Sequence, residues 1–213
     1  MHKSVPSIYI VDDDASFRSA IGELLGASGY KVSLYETAKE LLDSSLNGGP
    51  ACILLDVQMA GLSGPQLQKQ LSGIGCRLPI VFISGHGDIP TTVQTIKAGA
   101  EDFLTKPVTK EMLLETIERA LARHQAIQEK DDKLFALRSL YAGLTAREQE
   151  VFFHLVKGKP HKQIAYELGI SDRTVKLHRH QIVQKLQVRS LAELAVIAER
   201  LGLLPALEQN SQA

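Results

Sequence analysis

The first half of the chain alternates short β-branched runs with amphipathic helical stretches, and this alternation limits how it can fold more than any other feature. Candidate strands lie at residues 8–11, 32–35, 52–55, 80–83 and 102–104, with helical patterns at 15–27, 38–46, 64–71 and 89–98 between them. Strands that read as near-continuous apolar runs are buried on both faces, which calls for a parallel sheet with helices on each side. Five βα units of this kind occupy about 120 residues. A chain of 213 residues therefore has room for a second, smaller domain.

The pattern changes after the fifth strand. No Gly or Pro occurs between Thr109 and Gly143, so the spacing predicts one long helix that leaves the first domain and serves as a linker. Leu113, Ala120, Ile127, Leu134 and Tyr141 recur every seven residues, but the companion positions, which begin with Ile117, continue with His124, Asp131 and Arg138 and are too polar for a coiled coil. A helical connector with modest self-association is expected, with a purely solvated connector as the plainer reading. From Leu144 onward short helices are punctuated by Gly. Thr145 followed by Glu148 forms a capping box that starts a helix at Ala146 and carries it to the turn at Gly158. Residues 161–168 give a second helix, Gly169-Ile170 a tight turn, Ser171 an N-cap, 172–186 a third helix and 190–201 a fourth. Residues 205–213 are polar and expected to fray.

Net charge is zero, yet it is unevenly spread. Residues 1–108 carry 8 Lys/Arg against 11 Asp/Glu, whereas residues 142–213 carry 10 against 7, with His154, His161, His178 and His180 in addition. A basic tail behind an acidic head is compatible with a polyanionic partner. Cys52 and Cys76 are far apart and flanked by apolar residues, which implies reduced thiols rather than a disulfide framework or zinc cluster. Residues 1–7 lack a leader's apolar core, and no apolar run approaches the ~20 residues of a membrane helix. A soluble, cytoplasmic protein without a membrane partner is expected.

Polar residues gather where the strands end. Asp12, Asp13 and Asp14 follow the first strand, Asp56 ends the third, Ser84 ends the fourth and Lys106 follows the fifth. The carboxyl ends of a parallel sheet line one crevice, so these residues converge. Crowded carboxylates repel one another, and a hard divalent cation such as Mg²⁺ relieves that repulsion through oxygen ligands. Asp56 is suited to attack phosphorus and form an acyl phosphate. Lys106 offsets the added charge, and the Ser84 hydroxyl is placed to bond a phosphoryl oxygen. Taken singly, each residue has a plainer reading: acids after a strand often only cap the next helix, and a lone Ser or Lys in a loop is usually solvated.

In order, the motifs "IVDDD" (10–14), "ILLDVQMAGLSG" (53–64), "VFISGHGDIP" (81–90) and "TIKAGAEDFLTKP" (95–107) resemble the receiver domain of two-component response regulators, especially the FixJ-like group, over about residues 5–125. The resemblance implies a flavodoxin-like α/β fold with a five-stranded parallel sheet of order 2-1-3-4-5. It also implies that Asp56 is the phosphoacceptor. Asp13, Asp56 and the Gln58 main-chain carbonyl would ligate Mg²⁺, with Asp12 acting largely through water. Ser84 and Phe103 fall at the switch positions, Lys106 at the family's lysine, and Lys106-Pro107 at a peptide that is usually cis. Met59-Ala60 departs from the family's frequent Met-Pro, which puts phosphate lifetime in doubt but removes no functional group.

Residues 144–198, "LTAREQEVFFHLVKGKPHKQIAYELGISDRTVKLHRHQIVQKLQVRSLAELAVIA", resemble the LuxR/NarL-type helix-turn-helix domain. The third helix interleaves Arg173, Lys176, His180 and Lys185 with Val175, Leu177, Ile182, Val183 and Leu186, so that one side can be buried while the other meets a groove. The resemblance assigns Lys176, Leu177 and His180 to base edges, and Lys162, Thr174, Arg179 and Lys185 to backbone phosphates. His161 and His180 replace the family's usual residues, so base preference does not transfer. The last helix, with Leu191, Leu194, Ala195, Val196 and Ala198, is mostly core and is used in the family for pairing.

The resulting expectation is a receiver at 1–122, a helical linker at 123–142 and an all-α helix-turn-helix domain at 143–213. Its expected partners are a sensor histidine kinase, double-stranded DNA, a second copy on activation and, at a promoter, RNA polymerase. An aspartate-nucleophile phosphohydrolase is the competing reading, but such enzymes place an acid two residues past the nucleophile and here that residue is Gln58. Asp56 is therefore expected to act as a switch rather than as a catalyst for an outside substrate. A DNA binder indifferent to phosphate is the third reading, told apart by Asp56→Asn.

Overall fold

The structure is a computed structural model that describes residues 5–46, 49–85 and 89–204. The chain divides into two compact units, Met1–Ile127 and Gln128–Ala213. In the first unit β1 (Ser7–Val11), α1 (Ala15–Ala27), β2 (Lys31–Tyr35), α2 (Ala38–Asp43), β3 (Ala51–Asp56), α3 (Gly64–Gly73), β4 (Ile80–Ser84), α4 (Ile89–Lys97) and β5 (Asp102–Thr105) alternate before α5 (Lys110–Ala142) begins. The sheet is parallel throughout, with order β2-β1-β3-β4-β5, as the sequence pattern and the resemblance imply.

Successive side chains on a strand point to opposite faces, and the central strands fill both. Tyr9, Val11, Ile53, Leu55 and Phe82 meet Leu41 of α2 and Leu67 and Leu71 of α3. Their neighbours Ile8, Ile10, Cys52, Leu54, Val81 and Ile83 meet Ile21 and Leu25 of α1 and Leu113, Ile117 and Ala120 of α5. All of β1, β3 and β4 is buried, while the edge strand β2 is only partly so. Burial pushes the Cys52 thiol up to about 12, as suits an inert core residue.

Two expectations change. Helix α2 stops at Asp43 instead of reaching Leu46, because the Ser44 amide and hydroxyl both donate to the Leu41 carbonyl and close the last turn. The heptad of α5 also reads differently in place. Leu113, Ala120 and the supposedly polar His124 are buried, whereas Ile127 is 48 % exposed, so the early repeats belong to the sheet's core and not to a helix-helix seam. Burial lowers the His124 pKa. The helix itself runs unbroken for 33 residues, as the lack of Gly and Pro predicts.

The second unit contains α6 (Ala146–Val156), α7 (His161–Leu168), α8 (Asp172–Lys185) and α9 (Leu191–Arg200). Two caps act where the sequence puts them: Thr145 and Glu148 form the reciprocal capping box, and Ser171 accepts from the Thr174 amide. Ser190, expected as the first residue of the fourth helix, is instead its N-cap and accepts from the Glu193 amide. Gly169 supplies the left-handed turn between α7 and α8, at φ 66°. Val151, Phe152, Leu155, Ile164, Val175, Ile182, Leu194 and Ile197 close the core. Residues 205–213, expected to fray, lie outside the described residues.

Gly64, the first residue of α3, packs directly beneath the end of β3. A Cβ there would collide with the Asp56 carbonyl oxygen and lie 2.9 Å from Phe82 Cε1. Gly64→Ala is expected to destabilise the first unit by about 2 kcal/mol, read as a lower urea midpoint; an unchanged midpoint would contradict this packing.

Candidate functional site

The acidic run after β1 divides its work. Asp14 caps α1, its Oδ1 accepting from the Ser16 and Phe17 amides, so the plainer reading holds for this residue. Asp12 and Asp13 do something else. Asp12 Oδ1 accepts from the Asp14 amide at 2.9 Å, which leaves Oδ2 turned to the Lys106 ammonium at 2.7 Å. Asp13 Oδ2 accepts from the Ala60 amide at 2.9 Å, tying the β1 end to the loop that follows β3.

Asp56, at the last position of β3, is 6 % exposed. Its Oδ1 lies 3.0 Å from Lys106 Nζ and its Oδ2 accepts from the Gln58 amide at 2.8 Å. Burial pushes the Asp56 pKa up, and the hydrogen bond and charge of Lys106 oppose that rise. Burial alone would lower the Lys106 pKa, but its bonds to Asp12 and Asp56 outweigh the penalty and raise it. One ammonium thus holds two carboxylates together. Oxygens of Asp12, Asp13 and Asp56 all lie within 4.8 Å of one another, an all-oxygen donor set that suits a hard divalent cation.

Ser84, buried at the end of β4, pairs in register with Thr105 of β5. Its carbonyl accepts from the Lys106 amide at 2.7 Å, so the β4 end fixes the backbone that carries the lysine. The Lys106-Pro107 peptide is cis. Phe103 is half-buried; its ring stacks on Phe82 with centroids 6.4 Å apart, against the α2–α3 side of the core. Two neighbours escaped the sequence reading. Lys106 Nζ sits 4.0 Å from the centroid of the Phe17 ring, and an Arg18 N–H donates to the Asp12 carbonyl. Neither contact follows a local spacing rule. Of the "VFISGHGDIP" motif, residues 86–88 lie outside the described residues.

The second unit presents the outer face of α8. Val175 and Ile182 are buried, whereas Lys176, His180 and Leu177, the last 55 % exposed, face outward. Lys176, Arg179, His180, Val183, Arg189 and Ser190 line a shallow depression of about 340 Å³. Arg189, just before α9, was missed because it lies outside the helix whose pattern was read. Lys176 pairs with Asp172 one turn away at 2.8 Å, an exposed contact that is easily exchanged. Lys162 is exposed on α7, and the Thr174 hydroxyl lies 2.8 Å from that of Ser171. Lys185 is placed differently from its neighbours: its ammonium lies 2.6 Å from Glu148 Oε2, a carboxylate buried beneath α8. It serves the fold of the unit as well as its surface.

Residues 8–118 match the family model described as response regulator receiver domain, and residues 142–198 match that of bacterial regulatory proteins, luxR family. The chain is 41 % identical over 194 residues to the response regulator protein TodT of Pseudomonas putida, covering 91 % of this chain and 86 % of that one. It is 36 % identical over 206 residues to the transcriptional regulatory protein FixJ of Azorhizobium caulinodans, covering 97 % of each. The solved structure of the response regulator StyR is similar over 92 % of this chain and 100 % of its own, with 43 % identity and a TM-score of 0.85.

The Glu148–Lys185 pair makes a prediction. Burial would raise the Glu148 pKa, but the Lys185 bond and those from Thr145 outweigh it and hold the pKa below the usual carboxylate range. A depressed folded pKa gives stability that is present above the unfolded value of about 4.3 and lost as pH falls through the folded one. The urea midpoint of the second unit should therefore fall on acidification below about pH 4.3, and Glu148→Gln should flatten that dependence. Lys185→Met should cost about 1–2 kcal/mol, less than for a fully buried pair because the lysine is partly solvated. No loss in urea unfolding of Lys185→Met would refute the structural role.

Proposed function

Because the chain belongs to the two-component transcriptional response regulators, joining a receiver domain to a LuxR-type DNA-binding domain, we propose that Asp56 is the phosphoacceptor through which a histidine kinase controls its binding to DNA. Membership implies a kinase partner and DNA binding. The finer reading rests above all on the Lys106 ammonium bridging Asp12 and Asp56.

An oxygen of Asp56 forms a bond to the phosphorus of phosphohistidine as the phosphorus–nitrogen bond breaks, the imidazole leaving with the electron pair. Asp13, Asp56 and the Gln58 main-chain carbonyl, with Asp12 through water, would hold Mg²⁺, whose charge would offset the negative charge of a phosphoryl group. Lys106 moves with its ammonium from the Asp56 carboxylate to a phosphoryl oxygen, and the Ser84 hydroxyl donates to another. Phe103 then packs further inward, and the surface of α4 and β5 changes with it. A phosphoryl group shifts this balance only by its differential affinity for the two states.

In the same reading residues 1–122 are the receiver, 123–142 the linker and 143–213 the DNA-binding domain. Phosphorylation favours a homodimer, whose paired α9 helices set two α8 helices on an inverted repeat. Lys176, Leu177 and His180 reach base edges. Lys162, Thr174 and Arg179 meet phosphates, and Lys185 joins them where Glu148 leaves its ammonium exposed. RNA polymerase is the partner at the promoter. Among the described residues no helix is long and apolar enough to cross a membrane, and we place the protein in the cytoplasm.

DNA footprinting with and without acetyl phosphate and Mg²⁺ tests this reading. Protection should extend on phosphorylation in the wild type and be unmoved by phosphodonor in Asp56→Asn; a phosphodonor response in Asp56→Asn would refute the assignment. Lys176→Ala should weaken operator binding by about 1–3 kcal/mol, measured by titration at fixed salt, and an unchanged affinity would remove α8 from the interface.

A further inference from the structure

We propose that Phe17 is a positioning residue for phosphoryl transfer, holding the Lys106 ammonium against the acceptor carboxylates through the face of its ring; the inference rests on the phosphoacceptor reading of Asp56. Lys106 reaches the site on a flexible four-carbon stem, and nothing in such a side chain selects one ammonium position over another. Two contacts draw the ammonium forward, Asp12 Oδ2 at 2.7 Å and Asp56 Oδ1 at 3.0 Å. A third comes from the ring of Phe17, whose centroid is 4.0 Å from Nζ. A cation over an aromatic face at this distance is attracted by the ring quadrupole, more strongly where water is partly excluded. The ring offers the ammonium no lone pair, so it restrains the charge without competing with the carboxylates for its protons.

The ring is itself held from two directions. Its backbone amide donates to Asp14 Oδ1, the side chain that starts α1, and the side chain packs on the core that contains Leu104, Leu113 and Ile117. The cap and the core therefore fix the ring, and the ring fixes the lysine. When the Asp56 oxygen bonds to phosphorus, charge builds on the phosphoryl oxygens while Lys106 shifts toward them, and a lysine already confined near its final place reorganises less. Phe17 touches neither phosphorus nor the attacking oxygen and acts through Lys106. A ring that served only as core packing would be replaced by another apolar side chain of similar size without kinetic effect.

The test uses the full chain, Mg²⁺ and acetyl phosphate. The Asp56 oxygen bonds to phosphorus, the phosphorus–oxygen bond to acetate breaks, and acetate leaves with the electron pair; intact-mass measurements follow the rate. Phe17→Leu should slow acyl phosphate formation about three- to tenfold, the size of a partly desolvated cation–π contact, and Phe17→Tyr should restore it to within about twofold because the aromatic face is retained. Independently of activity, the Lys106 methylene protons beside the ammonium should carry an upfield ring-current shift in the unphosphorylated wild type and Phe17→Tyr, lost in Phe17→Leu. Wild-type rates in Phe17→Leu, or equal slowing in Leu and Tyr, would overturn the role of Phe17 while leaving Asp56 as acceptor. Failure of the wild type to gain a phosphoryl group would instead overturn the acceptor reading, and this inference with it.

Discussion

One ammonium between two buried carboxylates organises the first unit. Asp12 follows β1 and Asp56 ends the adjacent β3, and burial makes their mutual repulsion costly. Lys106 offsets it from the end of β5. The sheet order has to serve this arrangement: β1, β3, β4 and β5 are contiguous, and Asp12, Asp13, Asp56 and Lys106 meet at their carboxyl ends, where the Ser84 carbonyl holds the Lys106 amide. The remaining strand, β2, supplies no site residue, and it is the edge strand with the least burial. The apolar alternation that builds two cores thus also sets the spacing at which four polar groups meet.

Much of this is legible in the sequence because it is local or periodic. Strands reveal themselves by β-branched runs, and a parallel sheet brings their carboxyl ends together whatever the separation along the chain. The helix starts at Ala146 and Asp172 are legible because a hydroxyl three residues before a bonded amide is a local signal. The failures are equally physical. Phe17 against Lys106 and Glu148 against Lys185 are tertiary contacts with no repeat to announce them. Glu148 was legible as a cap and only that, yet the same carboxylate accepts from the Thr145 amide and from Lys185. Helix α2 ends early through a serine turn that competes with the helix and leaves the apolar pattern intact.

The heptad in α5 misleads for a related reason. Seven-residue spacing marks a face but does not say what the face meets. Leu113 and Ala120 meet the sheet, and Leu137, Leu140 and Tyr141 pack on the helical core. One continuous helix therefore carries two unrelated commitments under a single repeat, and its polar companion positions become intelligible once the two halves are separated.

Between those commitments every side chain from Gln125 to Lys133 is exposed. An exposed helical stretch draws its stability less from burial than from intrinsic propensity and from the turns that flank it. Helix α5 is thus one helix whose two ends are each held by their own core.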